Sequence, residues 1–180
     1  MCGRYDFGLS SSKKGKQIRE RAEKMNLVFK EGEVFPNDDV LCMIPVGSKI
    51  DLSVKKWGIK NKSFQINARV ESLDDRPSYA SMKDKRCAVI CNGFYEWDSE
   101  KNKYYVNTED EYIYLACIFN DADELLILTK AAEGDFARIH SRTPIIMDQG
   151  EMLRFIHNET GTIREKKLHF QIKDDELKLF

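Results

Sequence analysis

A chain of 180 residues, 42% hydrophobic and 11% aromatic, is the size of one domain and carries enough apolar material for one substantial core. Twenty-nine Lys and Arg against thirty Asp and Glu leave a formal charge of -1, which excludes a protein that coats duplex DNA through many phosphate contacts; any nucleic-acid contact must be local. No stretch approaches the roughly 20 apolar residues that span a bilayer, and the opening MCGRYDFGLSSSKKG lacks the basic-then-apolar order of a signal peptide, so no membrane contact and a cytoplasmic location are expected.

In chain order, the first helical signal is Lys16 to Met25, where Ile18, Ala22 and Met25 recur at helical spacing among charged residues. After the turn-like GEVFPNDD, VLCMIPV reads as a strand stopped by Pro45, and LSVKKWGI and FQINARV read as two more. From Arg86 onward CAVICNGFYEW, KYYVNT, EYIYLACIF and ELLILTKAA are strand-like runs parted by the short turn chemistries DSEKN, EDE and NDAD, which together predict an antiparallel meander. Asp148 and Glu151, three apart before MLRFIH, have the N-cap and N3 arrangement that opens a short helix. With no repeats, linkers or low-complexity tracts, the expected architecture over residues 1–180 is α+β: one compact domain of mainly antiparallel β-structure with a few peripheral helices.

The five cysteines, Cys2, Cys42, Cys87, Cys91 and Cys117, are an odd set without a CxxC pair, so neither a disulfide framework nor a standard zinc motif is indicated. Most are expected to be small buried side chains; Cys87 and Cys91, four apart on a strand, read as packed core residues, and no metal or organic cofactor is called for. The charged runs KDKR, Lys83 to Arg86, and REKK, Arg164 to Lys167, read as solvated faces. His157 and His169 read as structural or surface residues.

Cys2 follows the initiator Met1 directly, and its small side chain permits removal of that methionine, which exposes a 1,2-aminothiol. A free α-amine, with a pKa of about 7.7–8.0, is partly neutral at physiological pH and condenses with an aldehyde to an imine, after which the adjacent thiol closes a five-membered thiazolidine. On its own, a cysteine at position 2 is equally a chance occupant of a frayed terminus. Glu96 sits in an aromatic strand segment between Tyr95 and Trp97; buried there, a carboxylate is suited to proton transfer, whereas plain alternation turns it to solvent. Asn67 and Arg69, two apart on a strand with Glu71 next in the row, share a face that either holds a polar substrate or is simply solvated. His140 and Arg142 precede Pro144 in a loop, where a histidine beside a guanidinium suits proton donation next to a phosphate.

In order, MCGRY, KKWGI, INARVESL, RPSY, RCAVICNGFYEW and IHSRTPIIM resemble the successive motifs of the SRAP family, the SOS-response-associated peptidase or abasic-site processing proteins, over residues 1 to about 147. The resemblance implies a compact α+β fold with a DNA groove on one face and an active site at the new N-terminus. It assigns Cys2 as the nucleophile, Asn67 as the residue that holds the N-terminal residue or sugar, and Glu96 and His140 as proton carriers. Arg4, Arg69 and Arg142 match phosphate-contacting arginines, and Pro36 and Trp57 fall in an apolar patch against the bases of a kinked strand. The family's Asn-x-Ala-Pro type segment falls here on Glu33-Val34-Phe35-Pro36, and the loop after WGI is shortened.

Covalent capture of abasic sites in single-stranded DNA by a monomer is therefore the leading expectation, with lyase activity a further implication. Two readings stand beside it: a thiol peptidase acting on its own Met1 or on other proteins through Cys2, Glu96 and His140, and a non-covalent module that reads single-stranded or modified DNA through Arg4, Trp57, Arg69 and Arg142.

Overall fold

The computed structural model describes residues 2–61 and 63–173; Met1, Lys62 and residues 174–180 lie outside that description, so the ends of the 1–180 domain span are not part of it. The elements in chain order are β1 (Tyr5–Phe7), α1 (Lys13–Lys24), β2 (Gly32–Val34), β3 (Asp39–Val46), β4 (Lys49–Trp57), β5 (Ile59–Lys60), β6 (Phe64–Gln65) and β7 (Asn67–Arg69). They continue with β8 (Arg86–Cys91), β9 (Gly93–Trp97), β10 (Lys103–Asn107), β11 (Ile113–Phe119), β12 (Glu124–Ala131), β13 (Arg142–Pro144), β14 (Ile146–Met147), α2 (Gln149–Ile156) and β15 (His169–Lys173).

Among the described residues the strands form a five-stranded sheet in the order β15-β10-β9-β1-β2, a larger one in the order β13-β12-β4-β3-β8-β11-β14, and the small β5-β6 hairpin. Because β12 pairs with β11 as well as with β4, the larger sheet closes on itself, and β7 adds to β12. The expected α+β architecture of mainly antiparallel strands with two helices is what the chain adopts, with a parallel component that strand patterning does not reveal: β12 runs parallel to β4 and to β7. Parallel neighbours need a long crossover, and here β8 to β11 supply it.

CAVICNGFYEW is not one strand. It divides at Asn92 into β8, in the larger sheet, and β9, in the smaller. Asn92 makes the switch possible by satisfying three backbone groups: its N–H donates to Asp6 O (2.9 Å), its Oδ1 accepts from Gly8 N (2.6 Å) and its Nδ2 donates to Glu111 O (3.1 Å). Val40 to Met43 and Cys87 to Cys91 are buried without alternation, since both faces of these strands are covered. All five cysteines are buried and unbridged, which makes them the packed small side chains expected. The strand predicted to stop at Pro45 runs one residue further, to Val46. β8 pairs with β3 only at Cys42 and Met43, so beyond them β3 has an open edge, where proline is tolerated.

Helix α1 begins three residues before the predicted start because Ser12 caps it, its hydroxyl accepting from Gly15 N (3.0 Å). Gly15 is required by close packing: a Cβ there would lie 2.3 Å from Ser10 O. Helix α2 carries the predicted capping box, Glu151 N donating to Asp148 Oδ1 (2.9 Å) and Asp148 N to Glu151 Oε2 (3.0 Å).

Trp57 belongs to this core. It is fully buried, its ring centroid is 5.3 Å from that of Tyr5, and its indole N–H donates to Ile66 O (3.0 Å). This corrects its predicted place in a patch against DNA bases, because an indole with no accessible surface and a satisfied N–H has nothing to offer a base. Replacing it should cost packing rather than only contacts: Trp57→Ala is expected to lower the unfolding free energy by about 3–5 kcal/mol, measured by urea denaturation.

Candidate active site at Cys2

Cys2 lies just before β1, the strand that runs between β2 and β9. Tyr5 pairs with Phe94 and Asp6 with Gly93, and Tyr95 N donates to Arg4 O (2.9 Å), so the same register continued toward the N-terminus sets Glu96 opposite Gly3. Both Cys2 and Glu96 are buried, which decides the even choice that strand alternation left for Glu96. One Glu96 oxygen, Oε1, accepts from Trp97 N (3.3 Å). The Cys2 thiol is pushed up to about 12, by burial first and then by the nearby Glu96 charge. At neutral pH it is therefore a protonated thiol.

Asn67 reaches the same place from the other sheet. Its Nδ2 donates to the Cys2 carbonyl (2.9 Å) across 65 positions of sequence, and its Oδ1 is buried with no hydrogen-bond partner among the described residues. The parallel pairing of β7 with β12 fixes its position, Asn67 lying against Ile127 and Arg69 against Thr129. On the opposite edge of β12, Pro144 pairs with Thr129 and Arg142 with Ala131. The INARVES and IHSRTP segments thus meet around one strand end.

His140 precedes β13, and its ring is held by Arg142: the Arg142 N–H donates to Nδ1 (3.0 Å), and the Arg142 carbonyl lies 3.1 Å from the same nitrogen. With Nδ1 as acceptor, the proton of the neutral ring sits on Nε2; a charged ring donates from Nδ1 to the carbonyl instead.

The predicted phosphate arginines differ in how they are held. Arg69 is exposed and makes no ion pair among the described residues. Arg142 is committed to the fold: it forms a two-pronged pair with Glu71 (2.7 and 2.8 Å) and donates to Thr129 O (2.6 Å) and Oγ1 (3.2 Å). Glu71 is not in the strand row with Asn67 and Arg69, because the chain turns into a single 3-10 turn over Val70–Ser72. Arg4 pairs with Glu33 (3.2 Å) and lies over the rings of Phe35 (4.5 Å) and Trp97 (5.1 Å). Neither Glu33 nor Trp97 stood out in the sequence as a partner of Arg4; Tyr5 to Val34 pairing and the β9 alternation bring them there. Pro36 is half-buried in a turn where Phe35 N donates to Asp38 Oδ2 (2.8 Å), and the exposed aromatic ring of that turn is Phe35.

The KDKR and REKK runs are neutralised locally, Lys83 by Asp74, Lys85 by Asp121 and Arg164 by Asp148, whereas Lys166 is largely buried on Glu151 and so is not part of the solvated face expected. Among the described residues no cluster of three or more His, Cys, Asp or Glu side chains is arranged to hold a metal, and no helix is long and apolar enough to cross a membrane.

The closed β-structure thus buries Cys2 beside Glu96 and pins its carbonyl by Asn67. The model of the SOS response associated peptidase (SRAP) family matches residues 1–180, and the chain belongs to that family. Curated relatives include the abasic site processing proteins YoqW and YobE of Bacillus subtilis, 32% and 34% identical over 114 residues, in each case 54% of this chain and 48% and 49% of the relative. The chain thus spans about half the length of the curated relatives it matches. Crystal structures of proteins from Bacteroides thetaiotaomicron and Bordetella bronchiseptica share the fold, with TM-scores of 0.75 and 0.71 at 16% identity. The first covers 97% of this chain and 93% of its own, the second 96% and 100%.

The Glu71–Arg142 pair gives the site region a pH signature. The hydrogen bonds from Arg142 hold the Glu71 carboxyl down from 4.5 to about 2. A depressed carboxylate contributes stability that is complete above its unfolded value and is lost as pH falls toward the folded one. Thermal melts of the wild type and Glu71→Gln are therefore expected to differ most above pH 4.5 and to converge as pH approaches 2; a difference independent of pH would show that the pair contributes packing alone.

Proposed function

We propose that this chain, once Met1 is removed, captures the aldehyde of abasic sites in single-stranded DNA as a covalent thiazolidine on Cys2. The reading is supported by family membership, by the names of the curated relatives as abasic site processing proteins, and above all by the setting of Cys2, which is buried and has its carbonyl clamped by Asn67.

That setting orders the chemistry. A buried thiol is a poor first nucleophile, so the α-amine that Met1 removal liberates attacks the ring-opened sugar aldehyde. Addition gives a carbinolamine, and loss of water gives the imine. The thiol then adds to the imine carbon as its proton passes to nitrogen, closing the thiazolidine; one water leaves overall and no oxidant or metal enters the balance. Glu96, beside Cys2, takes the proton from the amine and returns it during dehydration, and His140 passes a proton to and from the sugar oxygen as the hemiacetal opens. Asn67 fixes the Cys2 backbone so that amine and thiol face one carbon. Arg69, exposed and without an ion pair among the described residues, holds the flanking phosphate. The same raised thiol counts against a peptidase led by a Cys2 thiolate, which needs a depressed pKa.

Intact-mass analysis of the Met1-free protein incubated with an abasic single-stranded oligonucleotide should show a gain equal to the oligonucleotide minus water, stable to heat without reductant. Cys2→Ala keeps an amine but no thiol, so it should give an adduct only when borohydride traps the imine. Glu96→Gln is expected to slow capture by on the order of 100-fold or more. Fully processed, folded protein that stays unmodified would refute the proposal.

A further inference from the structure

On the face of the five-stranded sheet opposite the core, one carboxylate is surrounded by cations and a phenol. Glu33 Oε2 takes Arg4 Nη1 (3.2 Å) and Glu33 Oε1 takes Lys103 Nζ (3.4 Å), and the Tyr95 phenol lies close enough to feel the Glu33 charge. Lys103 also lies over the Tyr95 ring (4.7 Å), and Arg4 over Phe35 and Trp97 as described, so each cation is held in place by an aromatic ring as well as by the acid. The lysine is nearly inaccessible, its side chain 11% exposed, while Glu33 is 38% exposed. Directly opposite Glu33 in the register is a second acid, Asp6, half-buried and accepting from Tyr105. Two like charges at opposed positions of an antiparallel pair are unfavourable. Burial raises the Asp6 carboxyl and Glu33 raises it further. The arrangement therefore holds Glu33 at an anion seat built from two cations beside a phenol, at the expense of repulsion from its strand neighbour.

We propose that Arg4, Lys103 and the Tyr95 hydroxyl form a phosphodiester-binding site whose anion seat Glu33 fills in the unbound protein, and that a DNA phosphate displaces the Glu33 carboxylate. The inference rests on the single-stranded DNA reading above. Arg4 is two residues from Cys2, about 7 Å along extended chain, so a phosphate seated there belongs to the strand whose sugar reaches Cys2. An acid in the seat also imposes selectivity: a single charge does not displace it as readily as a strand that makes other contacts at once, with Arg69 for one.

The test is fluorescence anisotropy of the full chain with an undamaged oligothymidylate across a salt series, with thermal melts to verify folding and intact-mass crosslinking to an abasic oligonucleotide run in parallel. In the wild type the cations are already neutralised by Glu33, so seating a phosphate there releases few counterions. Glu33→Gln frees them and should tighten binding about two- to fivefold, as expected for a partly exposed ion pair, and steepen the plot of log Kobs against log salt by about 0.7 per phosphate seated. Lys103→Gln should weaken binding by a similar factor and flatten that slope. A purely structural role for Glu33 moves the melting temperature and leaves the slope alone. Folded Glu33→Gln with wild-type affinity and slope overturns the proposal, as does Lys103→Gln that binds like wild type should the Glu33 variant not fold. Either result with crosslinking intact removes the phosphate seat only; loss of both DNA binding and crosslinking in the wild type removes the function on which it rests.

Discussion

The pairing of β12 on two edges at once is the constraint on which the site depends. Toward its start β12 closes the larger sheet between β4 and β11; toward its end it takes β7 on one side and β13 on the other. Thr129 is the shared rung, opposite Arg69 on one edge and Pro144 on the other, and the Arg142 guanidinium locks the three strands by binding Thr129 and Glu71 together. Asn67, Arg69, His140 and Arg142 come from segments some 70 residues apart and meet only because this rung exists. Such a frame suits chemistry at an N-terminus, which would otherwise fray: β1 is paired on both edges, and Asn67 ties the Cys2 carbonyl to the larger sheet.

Charge on this molecule is spent locally. Arg142 serves the fold, Arg4 is shared between an acid and two rings, and the basic runs are matched by Asp74, Asp121, Asp148 and Glu151. That local pairing suits a chain of formal charge -1. Under the proposed function, attraction to DNA is local and affinity for undamaged strands is modest.

Cys2, Asn67, Glu96 and His140 were legible as candidates from residue type and neighbourhood: an aminothiol after Met1, a carboxylate among aromatics, an amide on a strand face, a histidine beside a guanidinium. The strands after Arg86, the α1 and α2 helices and the Asp148–Glu151 capping box were legible too, since period, turn residues and caps act within a few positions. The break at Asn92 was not, because an asparagine inside an apolar run signals a sheet change only through the partners it satisfies, Asp6, Gly8 and Glu111, which lie far away in sequence.

By itself, then, the amino-acid sequence determined which candidate groups are available, a cysteine at position 2 with an amide, a carboxylate and an imidazole, and which segments are strands and helices. Tertiary structure alone decided burial and partnership. It turned Glu96 inward, took Trp57 into the core beside Tyr5, committed Arg142 to Glu71 and set Glu33 against Arg4 and Lys103. The physical reason is that local periodicity fixes only which face a side chain occupies, whereas the solvation and charge that set its reactivity depend on what the other sheet, folded from distant sequence, places against that face.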